Sequence, residues 1–430
     1  TILYQFGGYM SYFGTVRWAA FQPLIGGCDI GAQQSFGCPP TCVIDYDGVA
    51  NSDLYLNYMS NVKKTPLKHF VIDGGAYSLA KDLKKDEEGN PIYSWSDPEL
   101  QNLDVVVGVP ICAGLSSANT QNSASSKMGR GSDAMQNNNM LGMLDITLNT
   151  IKPKVYIFEN AYKLATPLGA GIKEKLIKLA NEAGYATNIV KVNTINHGLP
   201  QNRTRTFFVA YRGDVAPLMT YEPTPCPTIM DVLEGLPPQQ SAFQERNSDD
   251  GWIQYLKDKW GPNYREEWAK HASAADFVAD ECGDMEMAKK YFDEKGQKII
   301  DYCIGKKAQG KGWMSGAPLY YGPSKLPSLY GRSMGRCWHP TEERGYSLRE
   351  CMRLMAMPDD FECPPKGKAG MIGQNVPVCT AAYYTNQVLK YLDGELKMSE
   401  QKNVEQDFCS TGAIRKEAKI PKTGFAAIMK

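Results

Sequence analysis

Short apolar runs alternate with amphipathic stretches from residue 41 to residue 211, and that rhythm predicts parallel β/α units. "TCVIDYD" (41–47), "KHFVID" (68–73), "LDVVVGVP" (103–110), "PKVYIFEN" (153–160), "ATNIVKVN" (186–193) and "TRTFFVAY" (204–211) read as strands. Between them, "MLGMLDITLNTI" (140–151) and "GIKEKLIKLANEAGY" (171–185) carry apolar residues at helical spacing, the second with a glycine in C-cap position. After Tyr211 the rhythm breaks. Residues 215–338 are rich in proline, glycine, tryptophan and tyrosine, and look helical only around 251–271 and 285–304. The α/β style returns with "SLRECMRLMAM" (347–357) and "VCTAAYYTNQVLKYL" (378–392), so one domain interrupted by another fits the pattern. From residue 397 the chain is polar with little periodicity and reads as an extension. Residues 116–139 form a long small-and-polar loop inside an otherwise compact domain, the pattern of a lid.

Composition narrows the classes without choosing among them. At 430 residues the chain can build two domains and a sizeable core, and 43% hydrophobic with 22% charged residues is ordinary for a globular protein. Zero net charge announces no nucleic acid, yet a local basic cleft is compatible with it. The 12 cysteines are scattered, and residues 1–10 hold no signal peptide, so reduced thiols and a cytoplasmic, monomeric protein are expected. Cys38 and Cys42 have no matching second pair, and the 4 histidines lie far apart, so no metal is expected. No apolar run reaches membrane-spanning length.

Four stretches carry candidate chemistry. The valine strand ending "VPICAGLSS" delivers Cys112 to the rim of a sheet, where open α/β folds bind ligands. "FEN" brings Glu159 to the same rim, and "GLPQNRTR" sets Arg203 and Arg205 on one side, since alternate residues of an extended segment share a face. "LIGGCDIG" (24–31) is a glycine loop opening a helix, followed by a strand that ends in Asp45 and Asp47, an arrangement suited to a nucleotide. Taken singly, these residues read equally as a turn cysteine, a solvated glutamate, surface ion pairs and an ordinary glycine turn.

Taken in order, they resemble the carbon-5 cytosine DNA methyltransferases. "VPICAGLS" looks like that family's nucleophile loop, "FENAYKL" like its Glu-Asn motif, and "AGYATNIVKVNTINHGLPQNRTRTFFVAYR" like its Gln-x-Arg-x-Arg region. "VIDYDGVANSDLYLNY" resembles the ribose-binding strand, and "CWHPTEERGYSLRECMRLMAMPDDF" and "IGQNVPVCTAA" resemble the two closing motifs. The resemblance implies a Rossmann-like, mostly parallel α/β catalytic domain dependent on S-adenosylmethionine. It implies an inserted target recognition domain: 1–212 catalytic, 213–337 recognition, 338–396 closing part, 397–430 tail. It implies methyl transfer to carbon 5 of a cytosine flipped out of duplex DNA, through a covalent cysteine adduct. Cys112 would be the nucleophile, Glu159 the acid at ring nitrogen 3, Arg205 the anchor of the base oxygen and Arg203 a brace for the loop. The donor would lie over Ile25, Gly26 and Gly27, with Asp45 on its ribose, Tyr46 near the adenine and Asp73 at the adenine amine. Ile111, Leu141, Gln374 and Val376 would line the same pocket. The insert would read the DNA sequence, with Trp252, Trp260 and Trp268 either contacting DNA or forming its small core.

The chain departs from the family pattern around the donor and the nucleophile. Ile111 and Ala113 flank the cysteine where the family has proline and glutamine, Gln22 and Leu24 stand at phenylalanine and glycine positions, Ala161 replaces valine and Gln374 replaces asparagine. Alongside DNA cytosine methylation these departures hold open an altered donor, transferred group or target pyrimidine in DNA or RNA, or a DNA-binding homologue without activity. Keeping Cys112, Glu159, Arg203 and Arg205 together argues for an enzyme, because a binding module needs no nucleophile with a partner acid.

Overall fold

The computed structural model describes residues 15–48, 52–116, 129, 131–236, 251–271, 290–308, 320, 322–329, 337–365 and 368–409. Their core is an eight-stranded sheet built from β1 (Trp18–Phe21), β2 (Cys42–Asp47), β3 (Lys68–Gly75), β4 (Val105–Gly108), β5 (Val155–Ala161), β6 (Tyr185–Asn193), β8 (Thr204–Arg212) and β10 (Asn403–Asp407). The spatial order is β10-β6-β8-β5-β4-β1-β2-β3, and β8 runs antiparallel to both its neighbours while the other pairs are parallel. A separate parallel pair joins β7 (Gln201–Asn202) to β9 (Leu326–Pro327), and two short helices are α2 (Asp53–Asn57) and α9 (Leu348–Arg353). All six predicted strands are present.

Parallel central strands are covered on both faces, which is why β4 reads as an unbroken valine run without alternation. Val105 and Val107 enter the cluster on one face and Val106 the cluster on the other. The first face carries α1 (Gly27–Phe36) and α11 (Val378–Leu392), the second α3 (Asn137–Asp145) and α4 (Ala170–Glu182). Packing of α11 against α1 brings residues 378–392 back onto residues 27–36, so both helices cover the same face of the sheet. The predicted C-cap glycine after α4 is Gly184, at φ +83°.

Three expectations need correction. Trp18–Phe21 was not anticipated, because four fully buried residues show no periodicity. The tail is not wholly an extension: Asn403–Asp407 pairs in parallel with β6 and extends the sheet edge, while residues 410–430 lie outside the described residues. The loop predicted over 116–139 ends earlier, since residues 137–139 already form the first turn of α3; the reading of this segment as a lid falls largely on residues 117–128 and 130, which lie outside the described residues.

Within the insert, α6 (Trp252–Trp260), α7 (Tyr264–Trp268) and α8 (Glu294–Ala308) gather around Tyr255, Leu256, Trp268, Phe292 and Ile300. Trp268 is thus a core residue and Trp260 packs against that core; the side chain of Trp252 and most of the glycine-rich 305–325 stretch lie outside the described residues. The edges of the insert behave differently. Ile229, Val232 and Leu233 of α5 (Ile229–Leu233), with Leu326 and Leu329, belong to the main core. No helix among the described residues is long and apolar enough to cross a membrane.

Candidate active site

β4 ends at Gly108, level with Phe158 of β5, so the next residues of both strands emerge at one rim. There the chain turns through Pro110, Ile111 and Cys112, with the Leu115 amide donating to the Cys112 carbonyl at 3.0 Å. Glu159 follows Phe158 and is only 4% exposed. Antiparallel β8 sets Arg205 opposite Ala161 on the same edge, and Arg205 Nε lies 2.8 Å from Glu159 Oε1. That pair is a close, buried ion contact. Asn160 turns inward and donates to the Pro110 carbonyl at 3.3 Å.

Burial dominates the electrostatics. It pushes the Glu159 carboxyl up, against the opposing pull of Arg205 and Arg203. The Cys112 thiol, half-buried, is also pushed up, first by burial and then by the Glu159 charge, while Arg205 and Arg203 lower it. Burial thus shifts both groups toward their neutral forms, against the pull of the two arginines.

Arg203 is 1% exposed and touches neither Cys112 nor Glu159 directly. Its Nη1 donates to the carbonyls of Leu329 (2.7 Å) and Gly373 (2.9 Å), and its Nη2 to that of Asn375 (2.6 Å). One guanidinium thus ties β8 to the edge of the insert and to the loop after α10 (Gly370–Gln374). Truncation would strand three carbonyls in a dry core. Arg203→Ala should lower unfolding free energy by about 3–5 kcal/mol, with Arg203→Lys recovering only part because an ammonium lacks the planar fork. Urea midpoints of the two variants test this.

The opposite side of the rim is the N-terminus of α1. Gly26 caps it at φ +89°, and a side chain there would collide with the Tyr55 ring. Gly27 admits no side chain either, because the Val376 carbonyl and Asn375 occupy that space, and its amide donates to Asn375 Oδ1 at 2.9 Å. Gln374 is exposed; its neighbour Asn375, which sequence reasoning missed, makes the contact. Asp45 is buried at the end of β2, accepting from Ser52 Oγ (2.9 Å) and pairing with His69 Nε2 (2.8 Å), two partners equally unforeseen. Burial raises its pKa, against the pull of His69 and Ser52. Tyr46 stacks on Phe21 at 6.0 Å, its buried hydroxyl without a partner. Ile25 is fully buried, Leu141 and Ile111 are half-buried, and Asp73 is exposed near the end of β3.

Several buried polar atoms around this helix end have no hydrogen-bond partner: both Asp29 carboxylate oxygens and the hydroxyls of Tyr46 and Tyr55. A helix N-terminus suits an anionic group, a strand-end carboxylate suits a diol and an aromatic ring suits a base. The residues present therefore fit an adenosyl donor bearing an amino-acid tail. A metal is a poorer fit for the one candidate group among the described residues, His339, Glu342 and Glu350. Arg344 already fills it, with two 2.7 Å bonds to Glu350 and one to Glu342.

Leu24, at a position where the resemblance expects glycine, adopts φ +55°. That left-handed conformation costs an L-residue roughly 1–2 kcal/mol. Leu24→Gly should therefore change stability by less than about 1 kcal/mol despite losing a half-buried side chain, because strain relief offsets the loss. Leu24→Val, β-branched at positive φ, should cost about 2 kcal/mol, measured by urea unfolding of both.

With this geometry in hand, a family model described as C-5 cytosine-specific DNA methylase matches residues 79–390. The Type II methylase M.HgiDII of Herpetosiphon aurantiacus is 22% identical over 262 residues, 57% of this chain and 68% of that protein. M.PspPI of Psychrobacter sp. is 25% identical over 258 residues, 58% of this chain and 57% of that protein. M.XorII of Xanthomonas oryzae is 24% identical over 312 residues, 68% and 69% of the two lengths. The chain thus spans from just over half to about two thirds of these relatives. A crystal structure of a prophage-encoded DNA modification methyltransferase from E. coli superposes with a TM-score of 0.51 at 18% identity, over 88% of this chain and 99% of the other. At that identity the likeness concerns the fold.

Proposed function

Since this chain belongs to the C-5 cytosine-specific DNA methylase family, we propose that it is an active DNA (cytosine-5-)-methyltransferase working through Cys112, Glu159 and Arg205. Carbon 5 of cytosine is a weak nucleophile. The Cys112 thiolate adds to carbon 6, forming the S–C6 bond and moving the ring's electrons toward carbon 5 and nitrogen 3. Glu159 in its neutral form donates to nitrogen 3 and stabilises the charge arriving there. Arg205 holds the exocyclic carbonyl oxygen of the base and lies against Glu159, so acid and anchor stand side by side. Arg203 keeps that edge in register with the insert and the donor loop. Bound S-adenosylmethionine supplies an electrophilic methyl group on its sulfonium. Once carbon 5 is methylated, a base removes its proton, the C6–S bond breaks and Cys112 leaves as thiolate.

The donor would sit over Ile25, Gly26 and Gly27 at the N-terminus of α1. Asp45, presented by Ser52 and His69, would take the ribose, with Tyr46, Asp73, Ile111 and Leu141 around the adenosyl group and Val376 beside the glycines. Gln374 is exposed, and Asn375 is the better candidate for the family's asparagine role. Duplex DNA would be the substrate, its target base rotated out at a cost of a few kcal/mol. The insert would read the flanking sequence.

One observation carries the reading: a buried carboxyl, its pKa raised by burial, stands 2.8 Å from an arginine at the rim that carries a cysteine. Incubation with S-adenosylmethionine and duplex DNA, followed by nucleoside mass spectrometry, tests it. 5-Methylcytosine is the expected product. Its absence, with DNA and donor both bound, would overturn the proposal.

A further inference from the structure

We propose that Gln22 and Asn139 are positioning residues for the nucleophile, a buried clasp of two side-chain amides that fixes the loop ahead of Cys112. The inference rests on the reading of Cys112 as the nucleophile.

Gln22 follows β1 and Asn139 lies in the first turns of α3; both are 0% exposed. Their amides pair face to face: Asn139 Nδ2 donates to Gln22 Oε1 at 3.0 Å and Gln22 Nε2 reaches Asn139 Oδ1 at 3.4 Å. Gln22 Nε2 also donates to the Val109 carbonyl at 3.2 Å, and the Ile111 amide donates to Asn139 Oδ1 at 2.8 Å. With Asn160 on the Pro110 carbonyl, each of the three residues before Cys112 is held by an amide side chain from a different element. Gln22 occupies this place at φ +57°, a conformation that a non-glycine residue keeps only when its surroundings over-determine it.

Two departures from the family pattern meet in this clasp. Ile111 stands where a proline would offer no N–H, and that N–H is the donor Asn139 accepts. Gln22 stands where an aromatic ring could not pair with Asn139. The Ile111 amide is a donor in the nucleophile loop, and it is satisfied by an acceptor that Gln22 orients. A loop held by hydrogen bonds instead of a rigid ring needs all of them, since a buried amide left unpaired destabilises the arrangement that contains it.

The test compares wild type with Gln22→Leu, Gln22→Glu and Ile111→Pro. Peptide-resolved alkylation of Cys112, without DNA or donor, reads loop position whether or not methyl transfer occurs. Adduct formation with DNA containing 5-fluorocytosine reads nucleophile alignment. Gln22→Leu should speed Cys112 alkylation about tenfold and slow adduct formation at least tenfold, with donor affinity within about twofold. Ile111→Pro should raise alkylation and lower adduct formation more weakly, because it removes one bond and keeps the amide pair; since Ile111 also faces the proposed donor pocket, its adduct rate is compared at saturating donor. Gln22→Glu should recover adduct formation as pH falls, because a protonated carboxyl regains a donor toward Val109 while an ionised one faces two oxygens. Alkylation and adduct rates within about twofold of wild type in both Gln22→Leu and Ile111→Pro would overturn the proposal. So would losses that track melting temperature and donor affinity in equal proportion. Should Gln22→Leu fail to fold, Ile111→Pro decides. A wild type that makes no 5-methylcytosine would count against the proposed function instead, and the alkylation ratios would still judge the clasp.

Discussion

Cys112→Ala is expected to lose methyl transfer by a factor on the order of 10⁴ or more, because the remaining route asks an unactivated cytosine to attack the donor directly. Cys28, the cysteine nearest in character, is fully buried within α1, and burial holds its thiol well above the ordinary range. Stability should change by no more than about 1 kcal/mol, since Cys112 is half-buried on a loop and its loss empties little volume. The variant should therefore bind DNA and donor, melt with wild type and yield neither 5-methylcytosine nor a denaturation-resistant adduct with 5-fluorocytosine DNA. Residual activity within tenfold of wild type would remove Cys112 from the reaction.

Glu159→Gln is expected to cost 10²- to 10⁴-fold in methyl transfer, the range for loss of a positioned acid, while making Cys112 more reactive toward alkylating reagents near neutral pH. The second effect follows from the charges. The Glu159 carboxylate raises the Cys112 pKa, and Arg205 and Arg203 lower it. Removing the negative charge leaves the two cations unopposed, so the thiolate forms at lower pH. In wild type the rate should rise with pH as Cys112 ionises and fall as Glu159 loses its proton; the variant should lose that alkaline fall. Stability has its own sign. The folded-state pKa of Glu159 is raised above the unfolded value, mainly by burial, so its contribution is fully present below the ordinary carboxylate pKa and lost as pH rises through the raised one. Glu159→Gln should therefore be relatively more stable on the alkaline side. Rate profiles, iodoacetamide labelling of Cys112 and urea midpoints across pH check the three consequences. A variant that keeps the alkaline fall would assign it to another group.

Much of this site was legible in one dimension because strand ends are local events. A β-branched run, a proline, a small-residue turn and a cysteine place a side chain at a rim whatever surrounds them, and the same holds for Glu159 after "VYIF" and for the arginine pair. The glycines before α1 were legible because positive φ and close approach leave few alternatives to glycine. Leu24 broke that rule, and only the backbone shows the departure to be a strained leucine in the glycine conformation.

The chain by itself determined six of the eight strands of the main sheet, the alternation of strands with helices and which residues stand at those strand ends, since these depend on periodicities of a few residues. Tertiary structure alone decided who meets whom across long separations. Asn375 reaches Gly27 over 348 positions, Arg203 reaches Leu329 over 126, and Gln22 meets Asn139 over 117. Such contacts leave no local trace, because a buried amide or guanidinium needs a partner but its sequence neighbourhood does not say which. The same holds for β10, whose five polar-looking residues form a strand only because β6 offers an open edge. Short-range pattern set the scaffold and its rim; the satisfaction of buried polar groups settled how that rim is held.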